Sequence, residues 1–394
     1  MNELTRSIRR FATRSFLAAT CLFLAACDDL PTLGSGPSPK INGNDAVIVA
    51  LLVPSGSGQA SDDLLAASLE NAARLAISEL QGAVIDLRVY QTAGSASRAG
   101  IVANQAANDG AKIILGPVYA AAANAAGAAV ADRGINVLSF SNNSDVAGGN
   151  VFVLGNTFEN TANRLVSYAV SQGKRKILVV NGQDVAEEKG RTAINGALAR
   201  FGATSAGNSS FELSQNGISA AVPGIRNAIN TNGAQAVFLT SGTAGALPIL
   251  SQMMVDNGVN PANTQFIGLQ RWDIPVQALD LPSLQGGWFA IPSPGLATQF
   301  NARYAAANDG KQPHAIAGLG YDGIAAIGAL IKTGKPDAFS AASLTQNSGF
   351  RGVGGIFRLR SDGTNERGLA IATISNKQVK VIDAAPTSFG GAGS

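Results

Sequence analysis

Short apolar runs alternate with longer stretches of helical periodicity along residues 45–385. The first runs are almost entirely apolar, which is typical of parallel strands that are covered on both faces. The stretches between them repeat apolar side chains at the spacing of one helix face. The pattern predicts strands at residues 46–53, 85–90, 112–115 and 136–139, and helices at 62–80, 97–109 and 121–132. Strands and helices that alternate in this way indicate βαβ units.

A second series of the same kind follows a short apolar run at residues 152–154. It predicts strands at 176–180, 208–213, 236–240, 265–268 and 287–291, and helices at 159–171, 187–201, 218–230 and 244–257. The pattern ends with helices at 296–308 and 315–332 and a β-hairpin near 355–382.

The two series predict an α/β fold class in which two doubly wound lobes form a hinged clamshell. The last helices and strands come after the second lobe and must dock on lobes that are already built. Several crossovers therefore join the lobes, and a ligand cleft is expected at the strand ends. We assign residues 45–155 and 295–340 to lobe 1, residues 156–294 and 341–385 to lobe 2, and residues 386–394 to a disordered tail.

The N-terminal residues have the pattern of an export signal. Four arginines precede an apolar run at residues 16–26, which is too short to span a bilayer as a helix, so residues 1–26 are predicted to be a signal peptide. The run ends in Leu24-Ala25-Ala26-Cys27, which resembles the bacterial lipobox. The resemblance implies cleavage before Cys27 and attachment of a diacylglycerol to its thiol. The alternative is a plain export signal cut at an Ala-x-Ala-like site.

Lipidation also accounts for the one cysteine that remains after Cys21 leaves with the signal, because a free thiol is unusual in an oxidising compartment. Residues 27–44 are rich in Gly, Pro and Ser and are predicted to be a tether. Asp28 and Asp29 resemble the retention signal of enteric lipoproteins, which favours the inner over the outer membrane for this periplasmic chain.

Charge and composition narrow the possible chemistry. The chain has 29 Lys and Arg against 26 Asp and Glu, and the arginines before residue 27 account for the excess. Without a long basic run, nucleic acid is excluded as a partner. One histidine, two cysteines and three methionines are too few for zinc, haem or iron–sulfur sites. No G-x-S-x-G, G-x-x-x-x-G-K-[ST] or H-E-x-x-H motif occurs, so we predict a non-catalytic protein without cofactor or metal.

Four segments, three of them at predicted strand ends, resemble the type I periplasmic binding-protein superfamily, specifically its leucine- and amide-binding branch. They are residues 52–56 (Leu-Val-Pro-Ser-Gly), 114–117 (Ile-Leu-Gly-Pro), 136–139 (Asn-Val-Leu-Ser) and 349–357 (Gly-Phe-Arg-Gly-Val-Gly-Gly-Ile-Phe). The resemblance covers residues 45–385 and implies the clamshell predicted above, with a cleft for a small polar ligand.

The resemblance also implies where a ligand is held, and the chain departs from the family pattern there. In amino-acid binders of the family, serines after Gly-Pro hold the ligand carboxylate at a helix N-terminus. Here the loop contains Tyr119, Ala120 and Ala121, so the hydroxyl is absent and the backbone amides remain. The next loop has Phe140 where the family has proline and Asn143 where it has threonine.

The family's acidic clamp for a ligand ammonium corresponds to residues 269–273, in which Asp273 is the acid. The ligand-cleft candidates are Ser55, Tyr119, Ala120, Ala121, Ser139, Phe140, Ser141, Asn143, Gln270, Trp272 and Asp273.

Several of these side chains have two interpretations. Tyr119 and Phe140 either stack on a ligand or plug the cleft. Trp272 lines the cleft, anchors a partner or packs between the lobes at the hinge. Glu187 and Glu188 are interpreted as first-turn acids that suit a helix dipole.

The missing hydroxyl removes a charge-assisted hydrogen bond worth about 1.5–3 kcal/mol, which disfavours free amino acids as ligands. Residues 268–275 and 284–292, each containing a tryptophan, resemble the penicillin-binding-protein activators, a lipoprotein subgroup of the superfamily. That resemblance implies a regulator of peptidoglycan synthesis that contacts a penicillin-binding protein, which is our first functional hypothesis. The alternative is the substrate-binding subunit of an ABC importer, which presents an amino acid, an amide or a related small polar solute to a permease.

Overall fold

The structure, a computed structural model, describes residues 36–43 and 45–390. The predicted signal peptide, Cys27 and residues 28–35 of the predicted tether lie outside these residues. Lipidation of Cys27 therefore stays a prediction.

Lobe 1 is built on a five-stranded parallel sheet with the order β2-β1-β3-β4-β5. Both faces of the central strands are buried, with α1 on one face and α2 and α3 on the other. The predicted elements lie within two residues of the observed ones, because the apolar runs mark doubly covered strands. The elements are β1 (Val47–Val53), α1 (Ala60–Glu79), β2 (Ile85–Gln91), α2 (Ala96–Asn108), β3 (Ile113–Leu115), α3 (Ala120–Val130), β4 (Val137–Ser139) and β5 (Val151–Val153).

Lobe 2 contains a seven-stranded sheet with the order β15-β14-β10-β9-β8-β6-β7, in which β6 to β10 run parallel. Helices α4 and α5 cover one face, and α6 and α7 cover the other. Its first nine elements are α4 (Phe158–Ser171), β6 (Lys176–Gly182), α5 (Val185–Arg200), β7 (Thr204–Phe211), α6 (Gln215–Asn232), β8 (Ala236–Leu239), α7 (Leu247–Asp256), β9 (Gln265–Gly268) and β10 (Trp288–Ile291).

Strand β7 starts at Thr204, earlier than the predicted range of 208–213. It is the edge strand of the sheet, and its exposed positions carry small polar residues. An edge strand does not need two apolar faces, so an apolar-run criterion misses its first half.

The chain then returns to lobe 1. Helix α9 packs on α1 so closely that a methyl group added at Gly320 would lie 2.5 Å from the Leu69 carbonyl oxygen. Strands β11 to β13 form a separate antiparallel sheet, which contributes Phe350 and Phe357 to the core of lobe 1. The elements are α8 (Pro294–Ala307), α9 (Gly318–Ile331), α10 (Ala341–Leu344), β11 (Phe350–Gly352), β12 (Gly355–Leu359) and β13 (Asn365–Arg367).

The last two strands, β14 (Ala370–Ser375) and β15 (Gln378–Asp383), form an antiparallel hairpin that extends the sheet of lobe 2. The sequence-based assignment of residues 341–385 to lobe 2 therefore needs correction, because residues 350–359 pack in the core of lobe 1. Alternating strands do not reveal which sheet they join. At the end of the described residues, the centroid of the Phe389 ring lies 4.5 Å from the Arg358 guanidinium, and disorder of residues 386–394 stays a prediction.

Three crossovers connect the lobes, from β5 to α4, from β10 to α8 and from β13 to β14. Polar contacts hold two of these crossover segments against each other. The Asn365 side-chain amide donates to the carbonyls of Val153 (2.7 Å) and Gly155 (2.8 Å). The Arg367 guanidinium donates to the Leu154 carbonyl (2.9 Å) and pairs with the buried Asp322 carboxylate (3.1 Å).

Residues 36–41 dock on lobe 1 at the amino ends of its strands. The Gly36 amide donates to the Ala131 carbonyl (3.0 Å), and the Ile41 amide donates to the Pro336 carbonyl (2.8 Å). The Ile41 side chain is part of the lobe 1 core. Because loops before and after parallel strands lie at opposite ends of a sheet, this contact lies at the end of lobe 1 away from its strand carboxyl ends.

Candidate ligand cleft

The carboxyl ends of the parallel strands carry the cleft candidates in both lobes. A contact between the lobes forms there, because the Lys189 ammonium on α5 pairs with Asp145 in the loop after β4 (2.5 Å). The same ammonium group lies 3.4 Å from Asn143 Oδ1. The loop after β4 and the first turns of α5, the helix that follows β6, therefore face each other across the cleft.

On lobe 1, the loop after β3 presents one large side chain. Tyr119 is 39% exposed, and its hydroxyl donates to Asp62 at the start of α1. This hydrogen bond is the main cause that raises the pKa of Tyr119. Helix α3 begins at the next residue, and no side chain caps its first amides. Ala120 is half-buried and Ala121 is exposed, while Ser55 is half-buried after β1.

The candidate residues in the loop after β4 stabilise the loop itself. The Ser139 hydroxyl donates to the Pro117 carbonyl (2.9 Å) and accepts from the Ser141 amide (3.1 Å). Ser139, Phe140 and Ser141 are buried, and Phe140 belongs to the core of lobe 1. Phe140 therefore neither stacks on a ligand nor plugs the cleft, which corrects both sequence-based interpretations. Asn143 is half-buried and accepts from the Asp145 amide (3.0 Å).

On lobe 2, the loop after β9 holds three candidates in different environments. Gln270 is exposed, and its side-chain amide donates to the Thr240 carbonyl (3.0 Å). Asp273 pairs with the neighbouring Arg271 (2.5 Å), so its charge is already compensated. The third, Trp272, is 0% exposed.

Trp272 is a core residue of lobe 2. Its indole stacks on Phe289 with ring centroids 6.0 Å apart. A methyl group added at Gly268, the last residue of β9, or at Gly287, just before β10, would lie 2.1 Å from the indole, so both positions need glycine. The expectation that Trp272 lines the cleft or packs between the lobes is therefore corrected, because its position after a strand does not reveal that the loop folds back over the sheet.

A polar cluster that the sequence analysis missed lies at the ends of β6 and β8. The Glu187 carboxylate, 9% exposed, accepts from the Gly182 amide and from the hydroxyls of Thr240 (2.8 Å) and Ser241 (2.8 Å). Its backbone amide donates to Asp184, which caps α5 (2.7 Å). The first-turn position of Glu187 is confirmed, but its side chain turns inward to join two loops far apart in the chain.

Glu188 and Asn181 continue this cluster. The Asn181 side-chain amide donates to Glu188 (2.9 Å), and Glu188 pairs with Arg191 (2.5 Å). The hydrogen bond from Arg191 is the main cause that lowers the pKa of Glu188. Asn181 is fully buried, and within the described residues no donor reaches its Oδ1.

Other features of the described residues bear on function. Residues 36–43 and 45–390 contain no group of three or more His, Cys, Asp or Glu side chains that would hold a metal. A helix long and apolar enough to cross a membrane is likewise not found among them. A groove of about 960 Å³ runs along α4, α5 and residues 386–390, and none of the described cleft candidates lines it.

Comparison with known proteins decides the family. A family model described as periplasmic binding protein matches residues 46–378. The chain belongs to this family. The predicted superfamily and fold are thereby confirmed. A comparison with curated protein sequences gives no significant match to this periplasmic binding protein.

Solved structures of transport proteins share the fold of this periplasmic binding protein. A putative branched-chain amino acid ABC transporter protein from Rhodospirillum rubrum superposes with a TM-score of 0.72 at 17% identity, over 86% of this chain and all (100%) of that one. A substrate-binding protein from Desulfitobacterium hafniense in complex with Leu gives 0.62 at 17% identity, over 86% and 100%. A solute-binding protein from Rhodopseudomonas palustris BisB5 in complex with 3,4-dihydroxybenzoic acid gives 0.60 at 17% identity, over 88% and 98%.

Proposed function

We propose that the chain is the solute-binding subunit of an ABC importer, which works in the periplasm by binding and without catalysis. The observation that carries the proposal is the opposition of two sets of strand carboxyl ends, each with polar groups, in lobes joined by three crossovers. Open α/β sheets bind ligands at this edge. Membership of the periplasmic binding protein family and the transport proteins among its structural neighbours support the same function.

Each lobe offers different contacts to a solute. Lobe 1 contributes the uncapped amides at the start of α3 and the Tyr119 side chain. Lobe 2 contributes the exposed Gln270 side chain. A solute that contacts both lobes stabilises the closed arrangement over the open one by its differential affinity, and a permease can recognise the closed arrangement.

A thermal-shift screen tests this proposal directly. The mature chain is heated with single amino acids, amides, amines, carboxylates and sugars. A solute at 100 times its dissociation constant stabilises the fold by about 2.7 kcal/mol, which raises the melting temperature by several degrees. For a solute that binds, Tyr119→Ala is expected to weaken binding, whereas Asp132→Asn, at the far end of lobe 1, is the matched control. A complete screen without any shift argues against solute binding.

Regulation of penicillin-binding proteins is the second candidate, and one observation favours it. Apolar side chains are exposed on loops or helix starts that follow strands of lobe 2, notably Val185 (75%) and Val276 (64%), with Leu213 and Ile274 partly exposed. Such side chains suit a protein contact. Stimulation of a purified penicillin-binding protein by the chain, lost in a Val185→Asp/Val276→Asp variant, would support this function, and unchanged synthase activity would contradict it.

We propose in addition that the chain is anchored to a membrane through Cys27, on the strength of Leu24-Ala25-Ala26-Cys27 and the tether-like composition that follows. Metabolic labelling with a fatty acid is expected to mark the wild type and not Cys27→Ser. A Cys21→Ser variant is the control, because Cys21 leaves with the signal peptide. Equal labelling of the wild type and Cys27→Ser would contradict the anchor.

A further inference from the structure

One edge of the lobe 1 sheet is a long, regular strand that is open on its outer side. Strand β2 is the outermost strand of that sheet, and among the described residues it pairs with β1 alone. The register between the two strands is continuous over all seven residues of β2. An edge strand of this kind presents unpaired backbone groups that fit a further strand.

The hydrogen bonds to β1 show which backbone groups of β2 point outward. Just past the end of β2, the Thr92 amide donates to the Val53 carbonyl (2.8 Å). Successive residues of a strand turn their amides and carbonyls to opposite sides, so the even-numbered residues of β2 bond to β1. The amides and carbonyls of Ile85, Leu87 and Val89 therefore face the open edge.

The other edges of the two large sheets are closed or protected. The edge strand β5 is covered, because the Val153 amide donates to the Gly363 carbonyl (2.9 Å). In lobe 2, β7 has a bulge at residues 206–207, where its register with β6 shifts, and β15 carries the exposed Lys380. Bulges and edge lysines are common means of preventing strand pairing between molecules. Strand β2 has neither of these features.

The sequence of β2 is complementary to itself when reversed. It reads Ile85-Asp86-Leu87-Arg88-Val89, with an acid and a base at equal distances from the central leucine. If a second copy pairs antiparallel with Leu87 opposite Leu87, each Asp86 lies opposite Arg88 of the other copy. Each Ile85 then lies opposite Val89 of the other copy. Charged residues on an edge strand usually repel a second copy, but here they attract it.

The hydrogen-bond pattern agrees with this register. Residue pairs in antiparallel strands alternate between hydrogen-bonded and non-hydrogen-bonded pairs. The outward residues Ile85, Leu87 and Val89 form the hydrogen-bonded pairs, and Asp86 and Arg88 form the non-hydrogen-bonded pairs, in which side chains lie closest. A register centred on Asp86 or on Arg88 would instead place like charges opposite each other.

The two charged side chains are accessible to a second copy. Asp86 and Arg88 pair with each other within the chain (2.7 Å), and their side chains remain 42% and 40% exposed. Arg88 also donates to the Asp109 carbonyl at the end of α2 (2.8 Å), which places the pair on the face of the sheet that α2 covers. In a two-fold pair, two acids and two bases would alternate on this face without loss of the contacts within each chain.

We propose that the chain forms a two-fold homodimer in which two β2 strands pair antiparallel about Leu87 and join the two lobe 1 sheets into one. The inference concerns a surface outside the cleft and does not depend on the solute. Because all strands of the lobe 1 sheet run parallel, their carboxyl ends point in opposite directions in the two copies. The two clefts therefore open toward opposite ends of the dimer.

Sedimentation velocity over a concentration series tests whether the dimer forms. The mature chain carries Cys27→Ser, so that a lipid does not drive association. A single strand pair is a small interface, so we expect a weak dimer that appears below about 500 μM. Amide hydrogen exchange at Leu87 and Val89 is expected to slow as the dimer forms. A chain that stays monomeric over the whole series overturns the proposal, as does a dimer in which these amides exchange as fast as in the monomer.

Charge reversal tests the register in the same background. Asp86→Arg and Arg88→Asp each place like charges opposite each other twice in the dimer, and each is expected to raise the dimer dissociation constant at least about tenfold. An equimolar mixture of the two variants pairs opposite charges again and is expected to form a heterodimer. Asp280→Arg, at an exposed ion pair of lobe 2, is the control and is expected to leave the dissociation constant unchanged.

The mixture distinguishes a lost interface from a damaged fold. A variant that has lost its fold cannot recover dimer formation when its partner variant is added, and circular dichroism checks the fold of each variant alone. Dimers of unchanged strength in both single variants overturn the proposed surface. A mixture of folded variants that stays monomeric overturns the pairing of Asp86 with Arg88.

Discussion

The cleft edges of the two lobes are built alike, from loops at the carboxyl ends of parallel strands. The side chains of these loops have different roles in the two lobes. On lobe 1, Ser139, Phe140 and Ser141 turn inward and build the loop itself. On lobe 2, Glu187 accepts hydrogen bonds from two hydroxyls of a loop that is distant in sequence, and the three side chains form a polar cluster. A strand end therefore predicts where polar side chains gather, but it does not predict whether they stabilise their own loop, as in lobe 1, or join two distant loops, as in lobe 2.

The largest expected effect tests whether the two aromatic candidates belong to the cores. Trp272→Ala in lobe 2 and Phe140→Ala in lobe 1 are each expected to lower the free energy of unfolding by about 3–5 kcal/mol, because both rings are buried. Tyr119→Ala, which changes a partly exposed ring, is the control and is expected to cost much less. Urea denaturation measures all three. A small loss of unfolding free energy for Trp272→Ala would indicate that this side chain lines the cleft and is not part of the core.

A loss of similar size is expected where the lobes join. Arg367→Ala leaves the buried Asp322 without its cation, and breaking a buried ion pair costs about 3–5 kcal/mol. Arg303→Ala breaks a more exposed pair with Glu79 and is expected to cost less than about 1 kcal/mol. The same denaturation experiment compares the two. Equal losses would show that the crossover contact does not hold the lobes together.

A smaller loss of unfolding free energy is expected for a variant in the polar cluster of lobe 2. Thr240→Val keeps the shape of the side chain but removes a hydrogen bond to Glu187, with an expected loss of about 1.5–3 kcal/mol. Thr231→Val, on the exposed part of α6, is the matched control. If both variants unfold at the same urea concentration, the hydrogen bond from Thr240 to Glu187 does not stabilise the fold.

The smallest effect concerns the polar contact of lobe 1. Tyr119→Phe removes the hydroxyl that donates to Asp62, at a position open to water, and is expected to cost less than about 1 kcal/mol. Thermal denaturation of the variant beside the wild type measures it. A loss as large as that of Thr240→Val would mean that the Tyr119 hydroxyl is as well shielded from water as the Thr240 hydroxyl.

The sequence predicts the strands of both lobes because doubly covered strands are apolar along their whole length, as in β1 and β8. Periodicity does not predict which sheet a hairpin joins, so residues 350–359 are assigned to the wrong lobe. Long-range packing alone distinguishes the sheet of β11 to β13 from the hairpin of β14 and β15.

The site is less predictable than the fold for a related reason. Asp184 and Glu187 have the spacing of a capping pair, which explains Glu187 locally and hides its contacts with Thr240 and Ser241. Trp272 follows a strand, as a cleft residue does, but Gly268 and Gly287 leave room for its ring over the sheet. The available signal is a glycine at the end of one strand and another just before the neighbouring strand, with a tryptophan close to the first in sequence.

The docking of residues 36–41 has a mechanical consequence. Tension applied to the chain before Gly36 enters the molecule through hydrogen bonds to Ala131 and Pro336, all within lobe 1. That path stays within lobe 1 and does not include the three crossovers. A pull on the N-terminal attachment therefore does not load the segments that join the two lobes.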